Sequence, residues 1–358
     1  LIERRSWKQQ SSMWTIKAAL DWTVGYLERK GDENPRLSAE WLISKATNLS
    51  RIELYVNFDR PLSQTERDVL HGYVADRATG KPLQYITGEV AFRHLVLAIT
   101  PGVLIPRPET EVLVSEALKL LPQAPRPRAQ EVDPALVEMA GEGGGESEVD
   151  AEQDAQAPDS SEAPEPEKFL VADIGTGSGC IACSLAYEHP LVNVVATDIS
   201  PDAVALARTN VARCELDERI RVLEGNLGDP ICAFDAQGKA GRLPLIGRFD
   251  LVVSNPPYIP TAVLETIPKE VTDFEPTLAL DGGEDGNDIL RELLPFVQDA
   301  LKPGAAFVFE LHEDCLDDAR DLAENAGFER VSIVQDLAGR PRLLIGHKPQ
   351  GDTTDGSK

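Results

Sequence analysis

The chain has 358 residues, 42% of them hydrophobic, which is enough for two domains and a sizeable core. No run approaches the roughly 20 consecutive apolar residues of a membrane span, and no secretory signal is visible. The formal net charge is −25, which disfavours nonspecific binding to a phosphate backbone. We therefore expect a protein that binds neither membranes nor nucleic acid directly. We also expect it to be a monomer.

The five cysteines are an odd and scattered set, which argues against a disulfide framework. Cys180 and Cys183 form a C-x-x-C pair, but no second ligand pair accompanies them. We interpret both as small buried apolar residues and predict no metal site. This use of cysteine predicts a protein of the reducing cytoplasm.

The first 82 residues divide into a short start and a helical domain. We expect residues 1–12 to be disordered, with Met13 as a candidate native start. Residues 13–82 are predicted to form a small helical domain, because Ser63 and Glu66 make a capping box and apolar residues recur at helical spacing. The first such set is Ile16, Ala19, Leu20, Val24 and Leu27.

A connecting segment follows at 83–104, and we interpret it as a β-hairpin linker. The two apolar runs at 83–88 and 94–100 are its predicted strands. The next segment, from Leu104 to Glu111, holds two prolines and then two acids. It predicts a stiff turn that feeds a helix with favourable charge in its first turn.

Residues 122–168 have low complexity, rich in Pro, Ala, Gly, Glu and Asp. Between 131 and 167 there are thirteen acidic and no basic residues. Such a composition cannot bury enough apolar surface to order the chain. We therefore predict a disordered acidic insertion, and we expect the tail at 349–358 to be loose.

A strand, a glycine loop and a helix are predicted from Phe169 onward. The loop is Gly175-Thr176-Gly177-Ser178-Gly179, in the pattern D-x-G-x-G-x-G. The dinucleotide fingerprint G-x-G-x-x-G does not fit, because position 180 is Cys. The second strand, 193–198, ends in Asp198, whose carboxylate could accept both hydroxyls of a ribose.

A fourth predicted strand, 249–254, ends in Asn255-Pro256-Pro257-Tyr258. Two prolines forbid continued strand or helix, so the loop is stiff and lies where open α/β sheets bind ligands. The Asn255 side-chain oxygen and the Pro256 carbonyl are two acceptors suited to a planar –NH2 group. Tyr258 offers a flat surface on which that group could stack.

The remaining predicted elements are a third strand at 220–224, a helix near 287–301, a fifth strand at 306–310 and an antiparallel pair at 328–336 and 342–347. Together they predict an α/β fold with a doubly wound sheet of seven strands.

The loop Asn255-Pro256-Pro257-Tyr258 resembles the [DN]PP[YFW] motif of amino-methyltransferases that use S-adenosylmethionine. Within that group the chain resembles the HemK/PrmC family, which methylates a glutamine side chain of peptide chain release factors. The Pro-Arg-Pro-Glu-Thr-Glu segment at 106–111 matches the same family. The resemblance covers most of the chain except residues 1–12, the insertion and the tail.

The resemblance implies a Rossmann-like class I methyltransferase domain at 105–348 behind an N-terminal substrate-recognition domain. It also implies that Asn255 and Pro256 are catalytic, and that both bind substrate together with Pro257 and Tyr258. The implied ligands of S-adenosylmethionine, and of its product S-adenosylhomocysteine, are Gly175, Thr176, Gly177, Ser178, Gly179, Asp198, Asn226, Leu227 and Asn255. The family usually has an acid at position 226, where Asn226 keeps only an acceptor oxygen.

The implied function is methyl transfer to the N5 amide nitrogen of the glutamine in the GGQ loop of release factors. One alternative is a nucleic-acid amino-methyltransferase acting on adenine or guanine, which predicts basic patches and a pocket for a flipped base. Two further alternatives are a module that senses the cofactor without turnover and an NAD dehydrogenase. The acidic charge disfavours the nucleic-acid methyltransferase. The intact proline loop disfavours the module without turnover, and the glycine spacing disfavours the NAD dehydrogenase.

Overall fold

The computed structural model describes residues 14–122, 168–236 and 245–351. The expected disordered start at 1–12, Met13, residues 123–167 of the insertion and residues 352–358 of the tail lie outside the described residues. Within the described part of the chain, no helix combines the length and the apolar character needed to cross a bilayer.

The predicted N-terminal helices are present. They are α1 (Ile16–Arg29), α2 (Pro35–Thr47), α3 (Arg51–Val56) and α4 (Gln64–Arg77). The capping box is confirmed, because Ser63 Oγ accepts from the Glu66 amide while the Glu66 carboxylate accepts from the Ser63 amide. These helices enclose their own apolar core, which includes Ile16, Leu20, Leu27, Leu42 and Leu70.

The prediction of a strand at 83–88 was wrong. The segment forms the short helix α5 (Leu83–Thr87), and the hairpin consists of β1 (Glu89–Phe92) and β2 (Leu95–Ala98). Pro82 precedes the helix, and Gly88 ends it with φ of 72° while its amide donates to the Gln84 carbonyl at 2.8 Å. These two residues are the start and stop signals that outweighed the apolar, strand-like composition.

The sheet has seven strands in the spatial order β5-β4-β3-β6-β7-β9-β8. They are β3 (Phe169–Ile174), β4 (Val192–Asp198), β5 (Ile220–Glu224), β6 (Phe249–Ser254), β7 (Leu301–Glu310), β8 (Glu329–Gln335) and β9 (Pro341–His347). Strands β3 to β7 run parallel, and β9 is antiparallel to both of its neighbours. The predicted seven-stranded doubly wound fold is confirmed.

Strand β7 begins at Leu301, earlier than the predicted 306. In its pairing with β6, Phe249 lies opposite Leu301 but Leu251 lies opposite Ala306. Residues 302–305 therefore bulge out of the ladder. A bulge of this kind accommodates Pro303, which has no N–H group to donate to the ladder, and Gly304.

Helices cover both faces of the sheet. They are α6 (Thr110–Leu120), α7 (Cys180–Glu188), α8 (Pro201–Arg213), α9 (Asp229–Ala236), α11 (Asp288–Ala300) and α12 (Leu316–Asn325). The four-residue helix α10 (Lys269–Thr272) lies in the segment after the proline loop. Val171 of β3 packs in a core with α6, α7 and α8, whereas Ala172 packs in a second core with α9, α11 and α12. Cys180 and Cys183 lie buried in the first core, as predicted.

Candidate active site

An open cavity lies at the carboxyl ends of the parallel strands. Strand order reverses between β3 and β6, and ligands of open α/β sheets bind at such a switch point. The cavity is lined by Gly102, Val103, Leu104, Gly175, Gly177, Asp198, Ile199, Ser200, Ala203, Asn226, Leu227, Asn255, Pro257, Pro276, Leu278, Ala279 and Ile289. Most of the residues predicted to hold the cofactor are therefore brought together.

The glycine loop after β3 leaves space at its centre. Gly175 and Gly177 have φ of 72° and 55°, and a Cβ built on either would meet no atom within 4 Å. Both border the cavity, so the missing side chains leave a cradle along its wall. Gly179 differs, because a Cβ there would lie 3.3 Å from Ala207 of α8. That glycine permits close packing of two helices.

Asp198, the last residue of β4, is fixed beside this cradle. Its Oδ2 accepts from the Gly177 amide at 2.8 Å, and its Oδ1 accepts from the Ser200 amide at 2.9 Å. Burial raises the pKa of the Asp198 carboxyl, while these amide hydrogen bonds favour its ionised form. The sequence thus places a rigidly held acceptor on the cavity wall.

Thr176 and Ser178 alternate with the loop glycines and are both buried. Neither residue is part of the cavity lining. Thr176 Oγ1 instead donates to Asp173 Oδ2 at 2.6 Å. The same oxygen of Asp173 accepts from the Ala182 amide at 3.2 Å. Asp173 is fully buried, and burial raises its pKa to about 7. Asp173 braces the loop, a role that the sequence analysis did not assign.

The loop after β5 brings Asn226 and Leu227 into the lining of the cavity. Leu227 has a φ of 42°, which costs a residue with a Cβ roughly 1 kcal/mol or more. The hydroxyl of Thr197, on neighbouring β4, donates to the Leu227 carbonyl at 2.8 Å and stabilises this backbone. Asn226 is exposed at the rim.

Asn255 follows β6, whose last residue Ser254 donates to the Ile174 carbonyl of β3 at 2.6 Å. The Asn255 amide nitrogen Nδ2 donates to Thr110 Oγ1 at 3.1 Å. Thr110 is the first residue of α6 and lies in the segment at 106–111. The structure therefore joins the two motifs that carry the family resemblance.

The other residues of the proline loop are divided between the cavity and the core. Pro257 lines the cavity and Pro256 is buried behind it. The Tyr258 ring packs against the core with α11 and α12, and its hydroxyl donates to Glu310 Oε1 at 3.4 Å. Burial raises the pKa of Tyr258. The stacking role of Tyr258 stays a prediction.

Glu310, the last residue of β7, was missed as a site residue. Only 1% of its surface is exposed, and burial raises its pKa to about 7. Interaction with the Thr110 hydroxyl and the charge of Arg342 lower this pKa, against the effect of burial. The sequence signal that could have identified Glu310 is an acidic residue at the end of a buried parallel strand. Asp198 has the same position at the end of β4.

The segment after the proline loop covers part of the cavity with Pro276, Leu278 and Ala279. It closes on itself, because the Ile259 amide donates to the Leu280 carbonyl at 3.0 Å. Buried Glu275 accepts from Arg107 Nη2 with both carboxylate oxygens at 2.7 Å. The Pro-Arg-Pro-Glu-Thr-Glu segment thus holds this cover in place.

Similarity to known proteins indicates the family of the chain. The family described as PrmC N-terminal domain matches residues 18–88, and the methyltransferase small domain matches residues 161–269. The release factor glutamine methyltransferase of Geobacter sulfurreducens is 39% identical, over 94% of this chain and 98% of that protein. The chain belongs to the release factor glutamine methyltransferase family. Proteins of the same name from Koribacter versatilis and Moorella thermoacetica are each 34% identical, over 94% and 93% of this chain and 99% of their own lengths.

Membership in this family covers both the helical region and the α/β domain. The chain is a methyltransferase, and the predicted enzyme class and HemK/PrmC relationship are confirmed. The roles assigned to single residues stay predictions, and the structure shows which of them share one cavity.

Proposed function

We propose that this protein transfers the methyl group of S-adenosylmethionine to the side-chain amide nitrogen of a glutamine in a peptide chain release factor. The observation that carries the proposal is the Asn255 side-chain amide, which lines the cavity and is hydrogen-bonded to Thr110. The names of the full-length relatives support the same substrate class.

The residues of the cavity fit the proposed cofactor. The cradle beside Gly175 and Gly177 has room for a chain that passes close to the backbone. Asp198 offers a fixed carboxylate for two hydroxyl groups, and Leu227 offers an apolar surface for a flat ring. When bound, S-adenosylmethionine supplies an electrophilic methyl group on a sulfonium.

Asn255 and Pro256 would orient the acceptor. An amide nitrogen is a weak nucleophile because its lone pair is delocalised into the carbonyl. Two acceptors that bind both hydrogens of the –NH2 group fix its plane and direct the lone pair toward the cofactor. Such positioning can lower a barrier by several kcal/mol (roughly 7–11 in well-oriented intramolecular reactions).

The helical region at 14–87 is proposed to contact the release factor outside the cavity, and we propose a monomeric cytoplasmic enzyme. The five cysteines are an odd and scattered set, which supports a reducing compartment. The rival substrate, an exocyclic base amine, would suit the same acceptors, but the net charge of −25 disfavours it.

The proposal is tested by mass spectrometry of a purified release factor after incubation with the enzyme and S-adenosylmethionine. We expect one added methyl group on the glutamine of the GGQ loop. A release-factor variant with that glutamine changed to Glu is the matched control. No added mass on the wild-type release factor, with methylation of RNA or DNA in parallel reactions, would overturn the proposal.

A further inference from the structure

The side chain of Asn255 has two ends of similar shape and opposite hydrogen-bonding character. Its oxygen accepts and its nitrogen donates, and rotation by 180° exchanges them. A substrate –NH2 group needs the oxygen facing it, since the nitrogen would place two donors against each other. The hydrogen bond of 3.1 Å from Asn255 Nδ2 to Thr110 Oγ1 selects the required orientation.

This selection depends on which way the Thr110 hydroxyl donates. Thr110 can accept from Asn255 while its own proton is donated elsewhere. The Thr110 hydroxyl interacts with Glu310, which is 1% exposed and whose Oε2 has no hydrogen-bond partner among the described residues. An ionised carboxylate only accepts, so the Thr110 proton is directed to Glu310 and its lone pair to Asn255.

From this geometry we infer that Thr110 and Glu310 are positioning residues, which hold the Asn255 side-chain oxygen toward the amide that receives the methyl group. The inference rests on the proposed function and adds two residues to it. Hydrogen bonds would run in one direction, from the substrate –NH2 to Asn255, from Asn255 to Thr110 and from Thr110 to Glu310.

The direction of this chain depends on the charge of Glu310. The charged and titratable groups around Glu310 are Arg342 of β9, Glu109 before α6, Tyr258 after β6 and Cys180 of α7. Arg342 and the Tyr258 hydroxyl favour the ionised carboxylate, whereas burial and the charge of Glu109 disfavour it. Protonated Glu310 could donate to Thr110, and Thr110 would then donate to Asn255 and favour the opposite orientation of the amide.

Thr110→Val and Thr110→Ser form a matched pair for the test. Valine keeps the branched shape without the hydroxyl, and serine keeps the hydroxyl. With a release factor as substrate, we expect Thr110→Val to lower kcat about 10-fold or more, while Thr110→Ser stays within about threefold of wild type. The KM for S-adenosylmethionine and the Kd for S-adenosylhomocysteine should change less than about twofold in both.

Glu310→Gln provides a second variant, which does not depend on the folding of Thr110→Val. Wild-type kcat should fall as the pH is lowered through about 7, which gives the pH–rate profile an acidic limb. The Glu310→Gln enzyme should be slow and should lack this limb. Asp217→Asn on the exposed surface, outside the cavity, is the control. We expect it to retain the limb.

A readout without substrate separates this inference from the proposed function. In protein labelled with 15N-asparagine, the side-chain NH2 signal of Asn255 is identified by its loss in Asn255→Ala. It should shift in Thr110→Val and Glu310→Gln and stay in place in Thr110→Ser. An unmoved signal, or equal losses of kcat in the valine and serine variants, would overturn the inference. A wild-type enzyme that leaves release factors unmethylated would instead overturn the proposed function.

Discussion

Arg77, the last residue of α4, donates from Nη1 to Glu270 Oε1 of α10 at 2.7 Å. The same guanidinium donates from Nε to Asp32 Oδ2, also at 2.7 Å. Glu270 lies in the segment between the proline loop and Pro276, which lines the cavity. The helical region is therefore joined by an ion pair to the cover of the candidate active site.

The two ion pairs of Arg77 should differ in their contribution to stability. The side chain of Asp32 is 3% exposed and that of Glu270 is 46% exposed. We expect Arg77→Ala to lower the free energy of unfolding by about 2–4 kcal/mol, because it leaves a buried carboxylate unpaired. Glu270→Ala should cost less than about 1 kcal/mol, since it removes one partly exposed pair. Urea unfolding measures both values, and equal losses would contradict this assignment.

Asp198 provides a test of the cofactor site. We expect Asp198→Asn to weaken binding of S-adenosylhomocysteine about 30-fold or more, on the order of 2–4 kcal/mol. The asparagine retains one acceptor but loses the charge, and its –NH2 group faces an amide donor of Gly177 or Ser200. Calorimetry measures the affinity, and Asp217→Asn on the exposed surface is the control. Unchanged affinity in a folded Asp198→Asn protein would exclude the ribose role.

Asn255 should affect turnover more than cofactor binding. Asn255→Ala is expected to lower kcat about 100-fold or more, because it removes one of two acceptors for the substrate amide. Asn255→Asp keeps an acceptor toward the substrate but loses the donor to Thr110, so its activity should lie between those of Ala and wild type. Single-turnover assays with a release factor give the rates. A near wild-type rate in Asn255→Ala would make the loop structural only.

Local signals in the sequence were sufficient for much of the fold and part of the site. The strand at 249–254 and the proline loop that ends it were both predicted, because β-branched residues followed by two prolines determine local backbone without distant partners. Helix α5 was missed because Leu83-Gln84-Tyr85-Ile86-Thr87 has strand-like composition. Its helical form depends on Pro82 before it and Gly88 after it.

The contacts of Thr110 and Glu310 could not be predicted in the same way. Thr110 was interpreted only as part of a helix start, and Glu310 only as the end of a strand. They meet Asn255 because α6, β6 and β7 converge, although 145 residues separate Thr110 from Asn255. Hydrogen bonds between such distant positions depend on sheet order and register, which periodicity in a single sequence does not specify.

Glu310 should also lower the stability of the protein at neutral pH. Burial raises its pKa to about 7 from an ordinary 4.5, so the folded state binds this proton more tightly than the unfolded state. Between these two values the folded state holds more protons, and the free energy of unfolding falls as the pH rises. Glu310→Gln has no charge to bury. We therefore expect its stability relative to wild type to be greater at pH 8 than at pH 4.5 by about 1–3 kcal/mol.

Urea unfolding of both proteins at several pH values measures this difference, with Glu292→Gln on α11 as the control. A difference between the two proteins that does not change with pH would show that Glu310 titrates normally. A more stable Glu310→Gln enzyme with low kcat would show why a carboxylate occupies this place. The charge of Glu310 fixes the direction of the hydrogen bonds that orient Asn255. Burial of that charge lowers the free energy of unfolding.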